Sequence, residues 1–228
     1  MYSEGGFSWV GIRPTEPPMP RLLPAVLLPV TSLLLLAQTS APKPAYDMSL
    51  PRAEKIRLAK GAAPPEISDH ATVYVLESTG YVRAQEGTNG FSCFVDRQTP
   101  LNQEPTCFDA EGTATTLPTR LFAEEQRAKG RTEDQIKADL DASYKSGKFR
   151  APSKPGIVYM LSDSIYLFIV QNNQFVHAPP HLMFYAPYAT EKDLGSPPAG
   201  MNMPRLIRAG QPDAVMIVFP AQKTNATH

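Results

Sequence analysis

A leader segment near the start of the chain determines where the rest of it folds. Arg21 precedes residues 22–37, which are almost wholly apolar, and a short stretch of polar and small residues follows. A basic start, an apolar centre and small residues at a cleavage site are the pattern of a secretory signal peptide. We therefore expect residues 19–41 to direct export, with Met19 as the true start. Residues 1–18 are then a disordered extension or a misassigned upstream start.

The same segment is too short to make a stable membrane anchor. Its apolar run holds 16 residues and includes Pro24 and Pro29, whereas a helix needs about 20 residues to span a bilayer. No cysteine follows the run directly, so a lipid-anchored form is not expected. We expect the protein to meet a membrane only through this signal segment and to be periplasmic or secreted.

The charge balance of the remaining chain excludes two classes of partner. The chain has 22 basic and 22 acidic residues, and residues 1–41 hold two of each, which leaves 20 of each sign. A net charge of zero without a basic run provides no electrostatic footprint for nucleic acid or for anionic lipid. The length of residues 49–220 suits one domain, and residues 221–228 are expected to form a disordered tail.

Two cysteines, Cys93 and Cys107, define the redox chemistry of the chain. In an oxidising compartment they are expected to form one disulfide, worth about 3 kcal/mol by the chain-entropy model. The segment between them is rich in Pro, Asn, Gln and Thr, which predicts a surface excursion between two strands. A free nucleophile or a metal thiolate is the alternative, and the lack of C-x-x-C spacing disfavours it.

Short apolar and β-branched runs predict two groups of strands. Asn89 and Gly90 are the strongest hairpin signal, because both residues tolerate positive φ. The first group is expected to form an antiparallel meander over residues 71–76, 81–85, 91–96 and 106–109. The second group covers residues 156–161, 165–170, 181–185 and 214–219.

Helices are predicted before and between these groups of strands. Ser49 is expected to cap a helix that ends near Lys60. A helical hairpin is expected over residues 117–147, where Thr132 and Gln135 have the spacing of a capping box. Separate runs of strands and helices are typical of the α+β class. We therefore predict an antiparallel sheet with the helical hairpin packed on one face.

Four stretches of the sequence are distinctive when taken together. They are residues 62–65 (AAPP), 87–93 (GTNGFSC), 107–112 (CFDAEG) and 179–187 (PPHLMFYAP). Together they resemble a family of exported bacterial proteins of unknown function, and the resemblance covers most of residues 53–219. It implies export and a single domain, and it supplies no catalytic residue.

His177 and His181 are the sharpest candidates for site chemistry. Two imidazoles four residues apart on a helix can share a metal ion, but Pro179 and Pro180 between them forbid that helix. In an extended chain the pair would lie roughly 13 Å apart, and no third ligand is evident. A rigid proline elbow with a histidine at each side is the favoured interpretation, so neither a metal nor a cofactor is expected.

Aromatic residues crowd the same part of the chain and suggest a groove. Strand alternation places His181, Met183 and Tyr185 on one face. One face of such a strand is core, and the other can line a site for a small apolar or sugar-like ligand. The candidate ligand-binding residues are therefore His177, His181, Met183 and Tyr185.

Three functions remain compatible with these observations. The leading hypothesis is a non-enzymatic exported protein that binds a small ligand or an envelope partner. The alternative is a metal-dependent or hydrolytic enzyme that uses His177 or His181, although no catalytic residue can be assigned and no Gly-x-Ser-x-Gly motif occurs. A purely structural envelope protein is the third.

Overall fold

The structure is a computed structural model, and it describes residues 45–195 and 203–219. The predicted signal peptide, the extension before it and the predicted tail at 221–228 lie outside the described residues. Within the described ranges, helices and strands are mixed and most strands belong to one large sheet, so the α+β class is confirmed. No helix in these ranges has the length and apolar character that crossing a bilayer requires.

Strands make up two sheets. The strands are β1 (Thr72–Glu77), β2 (Gly80–Gln85), β3 (Ser92–Asp96), β4 (Glu104–Phe108), β5 (Ile157–Met160), β6 (Tyr166–Ile169), β7 (Gln174–His177), β8 (His181–Tyr185), β9 (Arg205–Ile207) and β10 (Val215–Val218). The main sheet has the order β2-β1-β3-β4-β5-β8-β10-β9, and β6 and β7 form a separate antiparallel hairpin. Neighbours in the main sheet are antiparallel except β1 and β3, which run parallel.

The helices are mostly short. They are α1 (Arg52–Lys60), α2 (Pro65–Ser68), α3 (Ala110–Thr115), α4 (Leu117–Ala128) and α5 (Glu133–Lys145), with a 3₁₀ turn at Glu191–Leu194. α5 begins with the predicted capping box, in which the Thr132 hydroxyl accepts from the Gln135 amide and Gln135 Oε1 accepts from the Thr132 amide. The predicted Ser49 cap is wrong, because Ser49 donates to the Asp47 carboxylate and α1 starts after it.

Each face of the main sheet carries its own core. One face, called here the cavity face, presents Phe94, Phe108, Val158, Met183 and Ile217. The strand registers align the last four side by side, and the ring of Phe94 packs against that of Phe108. Leu117 of α4 packs into that cluster. The opposite face, called here the disulfide face, is covered by α1 and by the chain that follows α1.

The main sheet is strongly curved around the cavity face. The guanidinium of Arg120, on α4, lies 3.0 Å from the carboxylate of Asp96, the last residue of β3, and 3.7 Å from that of Asp213, just before β10. In a flat sheet these strands, four places apart, would be separated by about 19 Å, because neighbouring strands lie about 4.8 Å apart. One guanidinium can contact both carboxylates only if the sheet bends, so the cavity face is concave.

The β6–β7 hairpin is attached to one side of this concave face. Gln103, just before β4, exchanges backbone hydrogen bonds of 2.8 and 2.9 Å with Tyr166. The Asn102 side chain accepts a 2.9 Å hydrogen bond from the amide of Phe168. At the other end, the amide of Ala178 donates to the carbonyl of Ile165. These bonds fix the hairpin beside the start of β4, and its Leu167 packs against the core of the cavity face.

The predicted meander of the first four strands is wrong in its order. β3 does not pair with β2 through an Asn89–Gly90 turn; it lies on the other side of β1 and runs parallel to it. The chain crosses the start of β1 at Gly87, where a Cβ atom would lie 2.1 Å from the Thr72 nitrogen. Only glycine permits that approach. Asn89 instead supports the crossing, because its side chain accepts from the Phe91 amide.

The predicted disulfide is present, but its surroundings differ from the prediction. Cys93 and Cys107 are directly opposite on β3 and β4, and both are completely buried under Ala62 and Ala63 on the disulfide face. The two strands continue beyond the bridge, and Glu104 and the following proline belong to a buried strand. The surface excursion is therefore shorter than the sequence predicts, because half of the segment between the cysteines continues the sheet.

Candidate functional site

A cavity of about 430 Å³ lies between the cavity face of the main sheet and the β6–β7 hairpin. Its walls are mainly apolar and include Met160, Leu167, Met183, Ile217 and Phe219. Concave apolar sites with a few polar groups are the usual binding sites for small molecules, and this volume falls within their range of about 300–1,000 Å³. The polar groups of the wall are Gln98, Thr99, Asn102, Glu104, His181 and Arg205.

Glu104 is a buried carboxyl group in this wall. Its oxygens accept hydrogen bonds from Asn102 Nδ2 at 3.0 Å, from the backbone amide of Gln98 at 3.2 Å and from Gln98 Nε2 at 3.4 Å. Burial, with a smaller contribution from the nearby charge of Asp96, raises the pKa of Glu104 to about 7. Its negative form is therefore hydrogen-bonded but poorly solvated.

Asn102 connects that carboxyl group to the hairpin. Its amide nitrogen donates to Glu104, and its amide oxygen accepts from the backbone of Phe168 on β6. Both ends of the side chain are used, and the residue is buried. The position of β6 over the cavity therefore depends on a polar contact with the same carboxyl group that lines the cavity.

His181 lies at the start of β8 and is held in one tautomer. Its Nδ1 is 2.8 Å from the carbonyl oxygen of Pro179, and a carbonyl only accepts, so Nδ1 carries the proton. Burial lowers the pKa of His181, and the charge of Arg205 lowers it further. The imidazole is thus neutral at pH 7, with Nε2 as a hydrogen-bond acceptor.

Arg205 is the cationic group of the cavity. It lies on the edge strand β9, opposite Ile217, and its guanidinium carbon is 5.5 Å from the centre of the Phe219 ring. The ring of His181 also packs against Phe219, and the two ring centroids are 5.4 Å apart. Phe219 therefore contacts both the cation and the neutral imidazole.

The structure separates the four ligand-binding candidates of the sequence into two that line the cavity and two that do not. His181 and Met183 are part of its wall. His177 is exposed on β7, where its Nε2 lies 2.6 Å from the carbonyl oxygen of Asp163. Tyr185 shares a face with Met183, but it lies beside α3 and outside the cavity wall.

Tyr185 has a structural environment of its own. Its hydroxyl donates a 3.0 Å hydrogen bond to Asp109, which also caps α3 by accepting from the Gly112 amide. A Cβ atom on Gly112 would lie 1.9 Å from the Tyr185 hydroxyl, and one on Gly156 would lie 2.7 Å from its ring. The ring therefore fills a space made by two glycines. Burial and the Asp109 charge raise the pKa of Tyr185 well above its usual range.

The structure does not bring His177 and His181 to a common ligand. Each imidazole has its own backbone carbonyl partner. Among the residues that the structure describes, no group of three or more His, Cys, Asp or Glu side chains is placed to hold a metal ion. Metal ligation normally requires three or four converging ligands.

A second polar cluster lies between α4 and the end of β3. Glu124 of α4 forms bonds of 2.7 Å with Arg97 and 2.8 Å with Arg127, and its side chain is almost fully buried. Arg127 also pairs with Glu133 at the start of α5. Every charge of this cluster has a partner of the opposite sign, so the cluster joins the helices to the sheet.

Glu104, Asn102 and Arg205 are site residues that the sequence does not single out. Glu104 and Asn102 lie in a polar, proline-containing stretch that looks like a loop, and Arg205 belongs to a strand of three residues. The contact of Asn102 with Phe168 joins residues 66 positions apart, and Arg205 reaches the cavity because β9 pairs with β10, so no local pattern predicts them.

Comparison with known proteins shows no relative. No protein-family model matches this chain, and neither the curated proteins nor the solved structures contain a match.

Proposed function

We propose that this chain is an exported binding protein without enzymatic activity and that its cavity holds a small, mainly apolar ligand. The apolar cavity of about 430 Å³, with its few polar groups, is the observation that supports this function. The cavity is bounded on one side by the concave main sheet and on the other by the β6–β7 hairpin. A hairpin attached by a few hydrogen bonds can move more readily than the sheet.

Export to the periplasm or out of the cell is part of the same proposal. The leader sequence is its first support, and the buried Cys93–Cys107 disulfide is its second, because disulfides persist in oxidising compartments. We further propose that α4 and α5 act as one helical hairpin on the cavity face, held there by Arg120 and Glu124. An envelope protein remains a second kind of partner, and neither nucleic acid nor a membrane beyond the leader is proposed as one.

The composition of the cavity wall favours binding over hydrolysis. Among the described residues that line it, none is Ser or Cys, and Thr99 supplies the one hydroxyl group. Glu104 and His181 are titratable, but covalent hydrolysis also needs a nucleophile within reach of a base. The structure therefore offers no specific support for the enzymatic alternative.

A fluorescent probe tests the proposed cavity directly. N-phenyl-1-naphthylamine is small, uncharged and apolar, and its emission rises when it leaves water. We expect saturable binding to the purified protein, and we expect Ala178→Phe, which adds a ring to the cavity wall, to weaken it at least about tenfold, since filling the site removes the apolar area that drives binding.

The matched control is Ala142→Phe on the exposed side of α5, because Ala142 is not part of the wall of this cavity. It should bind the probe like the parent protein. Thermal unfolding of both variants separates loss of the site from loss of the fold. Equal probe binding by the Ala178→Phe variant and the parent would refute the proposed site.

A further inference from the structure

The charges around the cavity indicate which end group its ligand carries. Arg205 is the one Arg or Lys among the described residues of the wall, and it is solvent-exposed, so it stands at the mouth. No described carboxylate lies within ion-pair distance of it, and residues 196–204 contain no Asp or Glu. By contrast, Arg208, three residues further on, pairs with Asp213 at 2.7 Å.

Glu104 is a poor site for a cationic ligand. Asn102 and Gln98 already supply three hydrogen bonds to its two oxygens. It is almost fully buried, and a cation brought to it would lose its own hydration as well. The polar contacts of Glu104 thus serve the attachment of the hairpin, which leaves Arg205 as the charged group that is open to a ligand.

These two charged residues lie on strands four places apart in the sheet order. Glu104 lies on β4, and Arg205 lies on β9 at the opposite edge of the strands that form the cavity floor. Between them the floor is apolar, with Met160 on β5, Met183 on β8 and Ile217 on β10. An anionic group at Arg205 would therefore have an apolar floor beside it, and an apolar chain attached to that group would cover the floor.

We infer that the ligand is an anionic amphiphile, with its head group paired to Arg205 and its apolar body inside the cavity. This inference rests on the proposed function and deepens it. Arg205 is suited to a carboxylate or a sulfate ester, because its guanidinium donates two parallel hydrogen bonds. The cation–π contact with Phe219 helps to hold the guanidinium at the mouth.

Competition among ligands of equal length tests the head group. The purified protein is loaded with N-phenyl-1-naphthylamine, and decanoate, decyl sulfate, decanol and decylammonium are each added below the concentration at which they form micelles. An uncharged cavity would prefer decanol, because a carboxylate loses more hydration on burial. We expect instead that decanoate displaces the probe at about a tenfold lower concentration than decanol, as one charge-assisted pair provides. Raising the salt concentration should weaken the binding of decanoate and leave the binding of decanol unchanged.

Two variants assign this preference to one residue. Arg205→Gln should remove the advantage of decanoate over decanol, measured as the ratio of the concentrations at which the two ligands displace the probe. Arg150→Gln is the control, because Arg150 is likewise exposed and forms no ion pair within the described ranges. It should retain the full advantage. A further readout is the proton resonance of His181, whose pKa should rise when decanoate places a negative charge beside Arg205.

The outcomes separate the two proposals. One outcome is that the probe binds and Ala178→Phe weakens that binding, while decanoate displaces the probe no better than decanol does. In that case the cavity is a ligand site, but the inference of an anionic head group is wrong. If decylammonium binds best, the cavity selects cations and the head-group inference is overturned. If the probe does not bind at all, both proposals fall.

Discussion

Asp96 and Glu104 lie directly opposite each other on β3 and β4, and both carboxyl groups are buried on the cavity face. Burial raises the pKa of each, and their mutual repulsion adds to the shift of Glu104, although Arg120 opposes it for Asp96. Like charges directly across a strand pair destabilise a sheet. The pair is therefore most stable while it retains a proton.

The Asp96–Glu104 pair predicts a specific dependence of stability on pH. A carboxyl group whose pKa is raised by folding stabilises the fold fully below its unfolded value of 4.5 and loses that contribution as the pH rises through about 7. In chemical denaturation, Glu104→Gln should therefore gain stability relative to the parent protein between pH 4.5 and pH 8, on the order of 2 kcal/mol. The exposed control Glu66→Gln should follow the parent. Parallel curves for parent and Glu104→Gln would contradict the assignment.

The disulfide should be both stabilising and inaccessible. A Cys93→Ala, Cys107→Ala double variant should lose about 3 kcal/mol of unfolding free energy, because the bridge closes a loop of about 15 residues. Both sulfur atoms are buried beneath the chain after α1. Dithiothreitol without denaturant should reduce the bond slowly, as followed by alkylation and mass spectrometry. Rapid labelling of the native protein would show that the bridge is open to solvent.

Substitutions at Tyr185 and Gly112 should have coupled effects on the free energy of unfolding. Tyr185→Phe removes the hydrogen bond to Asp109 and should cost about 1–2 kcal/mol, without changing probe binding. Gly112→Ala should cost more, because its methyl group would lie 1.9 Å from the Tyr185 hydroxyl. The double variant should lose less than the sum of the two. Gly61→Ala is the control: its added methyl group would lie 3.3 Å from the nearest atom, the Leu58 carbonyl oxygen, so it should cost much less than Gly112→Ala. Strict additivity would show that the two positions do not touch.

Two adjacent glutamates on α4 should differ sharply in how much stability each loses on substitution by alanine. Glu124→Ala leaves Arg97 and Arg127 without their buried partner and should cost about 3 kcal/mol or more. Glu125→Ala removes an exposed pair with Lys129 and should change stability by less than about 0.5 kcal/mol. Urea denaturation of both variants measures the difference. Similar losses at the two positions would mean that the buried cluster does not hold the helices to the sheet.

The elements that the sequence predicts well are those with local signals. Thr132 and Gln135 specify the start of α5 because the capping box spans only four residues. Alternating β-branched and apolar side chains identify the strand at Thr72–Glu77, and with two cysteines in the domain only one disulfide pairing exists. Strand alternation also predicts that His181 and Met183 share one face, and both line the cavity. It could not separate them from Tyr185, whose partner Asp109 lies 76 residues away.

Local sequence signals specify the class of the fold, most of the strand positions and the identity of the disulfide partners, because propensity, alternation and caps act over a few residues. The passage of β3 beyond β1, the bend of the sheet around Arg120 and the meeting of Glu104, His181 and Arg205 at one cavity depend on the three-dimensional packing. Which surfaces bury each other sets these features, and burial between segments that are distant along the chain leaves no periodic trace in it.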